Sequence, residues 1–461
     1  MSLMTSQVAG AVTDNAPARK AMWERAAAVL RHNDAGGWTK AAPDLYPHQW
    51  SWDSAFIAIG WAQVDVRRAM TEQDRLFAAQ WSTGKIPHIV FDPSASAGSY
   101  FPDAGWWGTA GTRDAPAGPP YTSGLCQPPV HAIALARIWR RTVALDDPAL
   151  RADVVTFLSR MYPKVLAWHR FLATARDPEC SGLVTIYHPW EGADNSPRWD
   201  GVLAGIEIGN LPPYHRRDTE HVSDAGQRPS DRDYDRYLWL VELLKRREYE
   251  EERIYATHPF LVKDVFFSAV LVMANEALLE LNEVVGATES DKAEIGDWID
   301  RGRRGLASTW DRDLSLCLDI DVRTGQPIRI RTFAGFAALL AGGAEPGIRE
   351  AALDRLDSAS FLGHPKLRWP LLVSTSPDEP TFSSRNYWRG PTWPVVNWLL
   401  WRALRRDGED VRAQRLREAS LAQVDAAGFF EYFDPFSGEA LGSDDQAWTA
   451  AVVLDWLATE K

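Results

Sequence analysis

Val265-Phe266-Phe267-Ser268-Ala269-Val270-Leu271-Val272-Met273-Ala274 is apolar on every side. A helix of that kind is buried all round. The next helical stretch, 289–306, follows another pattern. Ile295, Trp298, Ile299, Gly302 and Leu306 recur at spacings of three and four, which marks a single apolar face. Such a helix covers something. Stretches 130–139 and 393–404 repeat the first pattern. Alternation of the two kinds implies helical hairpins, with buried helices inside and striped helices outside. Helical segments start near residues 16, 53, 66, 128, 148, 231, 259, 289, 332, 346, 391, 409 and 444. Six hairpins closed in a ring give an all-α fold, an (α/α)6 barrel. Pro128-Pro129, Pro259 and Pro391 fall where the first turn of a helix tolerates proline, and Gly408 falls where a left-handed cap ends one.

Working outward, stretches 84–127, 176–230 and 360–390 interrupt the hairpins. Loops this long in a compact domain are usually functional or disordered. These are aromatic and poor in charge runs, so they are expected to wall a pocket at one end of the barrel. The chain has 461 residues. That exceeds the usual single domain, but a large helical barrel can reach it as one unit. No Gly/Ser linker divides it. Residues 1–15 read as a flexible N-terminus and 16–461 as one barrel domain. Short β-hairpins are also expected. Asp321-Val322-Arg323-Thr324-Gly325 matches Asp434-Pro435-Phe436-Ser437-Gly438, and this alignment sets Glu431 opposite Leu318.

The formal net charge of −12 argues against nucleic acid or an anionic membrane as a partner. The apolar stretches near 265–275 and 332–344 fall short of the ~17–25 residues needed to span a bilayer. No basic segment followed by an apolar core opens the chain, so no secretory signal is read there. Cys126, Cys180 and Cys317 are far apart, and a reducing cytoplasm is the simplest compartment. The ten histidines show no HExxH, and Asp319/Asp321 and Asp444/Asp445 lack EF-hand spacing. GxGxxG, P-loop and GxSxG sequences are absent. No metal and no cofactor is expected. The chain leaves a homo-oligomer open.

Two motifs carry chemistry. Trp190-Glu191-Gly192-Ala193-Asp194-Asn195-Ser196-Pro197-Arg198-Trp199 sets two carboxylates between two indoles in a loop. Phe429-Phe430-Glu431-Tyr432-Phe433-Asp434-Pro435 sets another inside an aromatic run. Aromatic faces stack on the C–H faces of a pyranose, and apolar surroundings let one acid keep its proton. A glycoside hydrolase needs such an acid, and a second carboxylate as base or nucleophile. Asp194 is the acid candidate and Glu431 the base candidate. Glu191 competes for the first role, and Asp194-Asn195-Ser196-Pro197 also reads as a simple turn. Tryptophan is the compositional outlier, at 22. Trp50, Trp52, Trp106, Trp107, Trp190, Trp199, Trp388 and Trp393 sit beside Gly, Pro or Asp, outside any helical period.

Four motifs together resemble glycoside hydrolase family 63. They are Tyr46-Pro47-His48-Gln49-Trp50-Ser51-Trp52-Asp53-Ser54, Gly192-Ala193-Asp194-Asn195-Ser196-Pro197-Arg198, Asn386-Tyr387-Trp388-Arg389-Gly390-Pro391-Thr392-Trp393 and Glu431-Tyr432-Phe433-Asp434-Pro435. Within that family the chain is most similar to the bacterial glucosylglycerate and mannosylglycerate hydrolases. The resemblance implies an (α/α)6 barrel and inverting hydrolysis of an α-glycoside, with Asp194 as general acid and Glu431 as general base. It also implies a glycone subsite. Tyr46, Trp50, Trp52 and Asp53 would line it, Gln127 would bond the same sugar, and Trp388 and Trp393 would be stacking walls. Tyr387 and Gln446 would face the aglycone. A small anionic glycoside then needs a cation inside an acidic protein. Arg228 lies in a long loop and can fork onto a carboxylate, with Tyr234 one or two turns away. Arg228 can equally pair with a local Asp. Arg198 and Arg389 read as braces for the loops. A trehalase-like or oligosaccharide-trimming glucosidase on the same barrel is the alternative, and a non-catalytic sugar-binding protein the more distant one. Glucose and mannose differ at one hydroxyl, which the sequence does not separate.

Overall fold

The computed structural model describes residues 16–96, 98–220 and 225–459. The segment expected to be a flexible N-terminus, 1–15, lies outside the described residues. Among those residues the chain is mostly helical, with a few small antiparallel sheets. The principal helices are α1 (Ala16–His32), α2 (Ser51–Val64), α3 (Val66–Phe77), α4 (His131–Leu145), α5 (Pro148–Thr174), α6 (Asp231–Arg246), α7 (Val265–Val285), α8 (Glu289–Ser308), α9 (Ala337–Ala341), α10 (Pro346–Asp357), α11 (Pro394–Arg406), α12 (Asp410–Ala427) and α13 (Ala447–Ala458).

Two sets separate by packing. In one set α2 packs on α4, α4 on α7, α7 on α9, α9 on α11, α11 on α13, and α13 on α2. In the other, α1 lies on α2 and α13, α3 on α2 and α4, α5 on α4 and α7, α8 on α7 and α9, α10 on α9, and α12 on α11. The sequence pattern explains the division. Helix α7 buries residues on every side, from Val265 through Ala274. Helix α8 buries Ile295, Trp298, Ile299, Gly302 and Leu306, the face marked by its spacing, plus Gly305. Close approach is built in. A Cβ on Gly60 of α2 would stand 2.4 Å from the Ala451 Cα of α13.

Most helices begin within three residues of the expected position. Two begin later. The start expected at 259 falls at Val265, because Val262–Lys263 pairs as a strand and Asp264 caps the helix. Its Oδ1 accepts from Phe266 N at 2.8 Å and Phe267 N at 3.0 Å. The start expected at 332 falls at Ala337, after Phe333–Phe336 winds as a 3-10 turn. Pro391 also lies outside its helix; Pro394 takes the first-turn position. Gly408 has φ 77. The apolar stretch near 265–275 continues to Val285, so α7 is long and apolar enough to cross a membrane. In this fold 83% of its most apolar window is buried, as befits a core helix.

The strands are β1 (Gln49–Trp50), β2 (Ile89–Val90), β3 (Thr185–Ile186), β4 (Val262–Lys263), β5 (Trp310–Asp311), β6 (Leu316–Cys317), β7 (Asp319–Asp321), β8 (Gln326–Ile328), β9 (Tyr432–Phe433) and β10 (Ala440–Leu441). β3-β4-β7-β8 form one sheet, and β1-β2, β5-β6 and β9-β10 pair separately. The internal echo is one repeated turn. Gly325 N donates to Asp321 O at 2.8 Å and Gly438 N to Asp434 O at 2.9 Å, and both glycines have positive φ.

Candidate active site

Residues at or shortly before the N-termini of α2, α4, α11 and α13 line one cavity. Trp52 and Asp53 come from the first turn of α2, Gln127 from just before α4, Tyr387 and Trp388 from before α11, and Trp448 from the first turn of α13. Loop residues complete the wall, Asp194, Arg228 and Glu431 among them.

Glu431 precedes β9, and its backbone N donates to Ser443 O at 3.0 Å. Its carboxylate is 1% exposed and crowded with donors. Tyr46 Oη reaches Oε1 at 2.7 Å and Tyr387 Oη at 3.4 Å. Arg228 Nη2 reaches Oε2 at 3.2 Å, as does Ser443 N. The Arg228 guanidinium lies over the Tyr387 ring, 4.6 Å from its centroid, and its Nε is buried without a partner. Of the two readings of Arg228, the structure pairs it with a carboxylate, and the partner is distant Glu431 rather than a local Asp.

Asp194 has a different environment. Among the described residues no side chain donates to its carboxyl. Burial holds that carboxyl well above the usual carboxylate range; Arg228 pulls it down, and Glu431 and Asp53 push it further up. Burial, helped by Glu431, pushes Asp53 up to about 8. Burial thus favours the protonated form of both carboxyls. Glu191, the competing acid, is fully buried and does not line the cavity. Arg176 grips it through Nη1 at 2.9 Å and Nη2 at 2.8 Å, with Tyr187 N at 2.6 Å and Cys126 N at 3.0 Å. Burial pushes the Glu191 carboxyl up, but Arg176 and these amides outweigh it and hold it below its ordinary value. An ionised, enclosed carboxylate has no proton to give.

Bracing fixes the Asp194 loop against the α11 approach. Asn195 Oδ1 accepts from Trp388 N at 2.8 Å, and Asn195 Nδ2 donates to Asn386 Oδ1 at 2.5 Å. Arg389 forks onto Asp200 at 2.9 and 2.6 Å, and Arg198 bonds Asp319 and Asp264. Both arginines brace the loops, as expected.

Tyr46, Trp50, Trp52, Asp53, Gln127, Asp194, Arg228, Tyr234, Tyr387, Trp388 and Glu431 converge on the cavity. Gln127 Oε1 accepts from Trp52 N at 3.3 Å. Tyr234 donates its hydroxyl to Phe101 O at 3.2 Å. Trp393 and Gln446 are not among the lining residues. Trp393 lies behind Trp388, ring on ring at 3.9 Å and 4°. The Gln446 amide has both its polar ends satisfied when its nitrogen faces Ala41 O and its oxygen faces Trp448 Nε1. Of the eight loop indoles, Trp50, Trp52, Trp190 and Trp388 face the cavity, whereas Trp107 and Trp199 are fully buried behind it. Tyr100, His88 and Trp448 line it and were not anticipated. Tyr100 lies in the loop 84–127 expected to wall the pocket, but no spacing singles it out. Among the described residues no group of three or more His, Cys, Asp or Glu side chains converges as a metal site.

Comparison with known proteins places this geometry. Residues 46–449 match the mannosylglycerate hydrolase MGH1-like glycoside hydrolase domain. The chain is 45% identical over 434 residues to the glucosylglycerate hydrolase of Mycolicibacterium hassiacum, covering 94% of this chain and 97% of that one. It is 42% identical to the mannosylglycerate hydrolase of one strain of Thermus thermophilus, covering 94% and 99%. The crystal structure of the family 63 mannosylglycerate hydrolase of another Thermus thermophilus strain, in complex with Tris and D-glycerate, is similar at TM-score 0.85 and 41% identity, covering 94% and 99%.

Proposed function

We propose that this chain, which belongs to the mannosylglycerate hydrolase MGH1-like glycoside hydrolase family, hydrolyses a glycerate α-glycoside with inversion. The substrate is 2-O-α-D-glucosylglycerate, with mannosylglycerate as the second candidate. The chain is a glycoside hydrolase; the named substrate and stereochemistry are our reading. The observation that carries it is the cavity itself. It sets Asp194, whose carboxyl burial holds well above the usual carboxylate range, and a donor-ringed Glu431 beside Arg228, the one permanent cation among its described lining residues. The helix packing supports reading the two sets as an (α/α)6 barrel, with the long loops walling the site.

In this reading Trp388, backed by Trp393, Trp50 and Trp52 enclose the hexose. Asp53, protonated near neutrality, and the Gln127 amide nitrogen donate to its hydroxyls. Asp194 gives its proton to the glycosidic oxygen as the C–O bond breaks. Water adds to the anomeric carbon from the other face and loses a proton to Glu431. The aglycone carboxylate takes the Arg228 guanidinium, near Tyr234 and Tyr387. A buried carboxylate is costly unless paired, and a guanidinium fork suits it. Gln446 acts from behind the wall, by holding Trp448.

Parallel hydrolysis of the two glycerate glycosides and of trehalose tests the assignment. Turnover of a glycerate glycoside is expected. Faster turnover of trehalose than of both glycerate glycosides would move the chain to the trehalase-like reading.

A further inference from the structure

We propose that Arg228 is shared in turn by two carboxylates. It covers Glu431 in this structure and leaves it for the carboxylate of an anionic aglycone, so the aglycone itself opens the base to water. This rests on the function proposed above.

A carboxylate offers about four lone-pair positions. Five donor contacts from four residues already stand around Glu431: Tyr46 and Tyr387 at Oε1, Arg228 and Ser443 N at Oε2, and, longer at 3.5 Å, the neutral Ser443 hydroxyl at Oε2. A water that is to lose its proton to Glu431 must replace one of them. Ser443 N is backbone, tied by the return bond from Glu431 N to Ser443 O. Tyr46 and Tyr387 bring neutral hydroxyls, for which an arriving anion competes less. Arg228 differs on three counts. It is a cation, Glu431 is the one carboxylate it hydrogen-bonds among the described residues, and its buried Nε has no acceptor among them.

Parting this pair without replacement strands two buried charges. A carboxylate on the aglycone supplies the replacement for Arg228, and water then occupies the vacated position on Oε2. A neutral aglycone supplies nothing, so the base stays covered. Discrimination against neutral substrates therefore falls on turnover as well as on binding. The proton count closes. Asp194 gives one proton to the leaving oxygen, and Glu431 takes one from the water whose oxygen bonds the anomeric carbon.

An α-glycosyl fluoride of the accepted hexose isolates the effect, because it has no aglycone. Its C–F bond breaks, fluoride leaves, water oxygen bonds the anomeric carbon, and Glu431 takes the water proton. Added D-glycerate should accelerate this reaction saturably, by about tenfold. Glycerol should not accelerate it. The stimulation should vanish in Arg228→Met and weaken in Arg228→Lys, which keeps the charge but loses the fork. The wild-type titration stands alone if a variant misfolds. Glycerate that inhibits or leaves the fluoride rate unchanged, in enzyme that hydrolyses the glycerate glycoside, overturns the sharing and leaves the function standing. Undiminished stimulation in Arg228→Met also overturns it. Hydrolysis of neither substrate overturns the proposed function, and this inference with it.

Discussion

Asp194 and Glu191 lie three residues apart in one loop, and burial acts on them with opposite results. Glu191 is neutralised by Arg176, so it stays ionised and structural. Asp194 has no such partner among the described residues, and burial holds its carboxyl well above the usual carboxylate range. Asp194→Ala and Glu431→Ala should each lower kcat by roughly 10²–10⁴-fold with KM little changed, since general acids and bases act in the transition state. Glu191→Gln should instead leave buried Arg176 with Glu251 as its remaining carboxylate partner, and cost about 1–3 kcal/mol of stability. Steady-state kinetics and melting curves separate the two. An inactive Glu191→Gln enzyme with a native melting temperature, beside an active Asp194→Asn, would transfer the acid role. Asp53 makes a pH prediction. Its carboxyl titrates near 8 in the fold and near ~3.9 unfolded. The folded chain then holds a proton that the unfolded chain has lost, so stability from this group is fullest below about 4 and declines up to about 8. Asp53→Asn should gain melting temperature relative to wild type as pH rises through that window. A difference that does not vary with pH would mean that Asp53 does not titrate there.

The helices that place these residues meet closely. Gly60 lies on α2, which carries Trp52 and Asp53 at its other end. Helix propensity alone would favour Gly60→Ala by about 1 kcal/mol. The added Cβ, however, would stand 2.4 Å from the α13 backbone at Ala451. Backbone cannot turn aside as a side chain can, so overpacking of about 1–3 kcal/mol decides the sign. Gly60→Ala should lower the melting temperature, and also kcat, as Trp52 shifts against Trp448. A variant that melts at or above wild type would refute the close packing. Elements such as these were the legible part of the fold, because α7 and α8 write their surroundings into their periodicity. The late start of α7 was not legible, since Val262–Lys263 joins a sheet whose other strands come from residues 185–186 and 319–328. The site divides in the same way. Asp194, Glu431 and Trp388 sit in motifs. Tyr100, His88 and Trp448 reach the cavity through tertiary packing alone, and Trp393 and Gln446 share motifs or neighbours with lining residues but face away from the cavity.

At the scale of the whole molecule, the proposed acid and base come from distant stretches of the chain. Asp194 follows β3 in a loop clamped by Asn195 and Arg389, and Glu431 enters through the β9-β10 hairpin. No covalent neighbour fixes their separation, so the helix packing sets it, and with it the stereochemistry. A retaining pair stands about 5–5.5 Å apart, so that one carboxylate can attack the sugar. An inverting pair stands roughly 6.5–9.5 Å apart and leaves room for water. The surroundings of Glu431 favour the second case. A nucleophile needs an unobstructed oxygen facing the anomeric carbon, whereas Glu431 is ringed by Tyr46, Tyr387, Ser443 and Arg228. That ring can exchange one donor for a water and still hold the carboxylate in place. The first sugar released from the α-linked substrate should therefore be the β anomer, seen by NMR before mutarotation. Release of the α anomer, or capture of a glycosyl-enzyme on Glu431, would mean that the pair works at nucleophilic distance and that the water is recruited only in a second step.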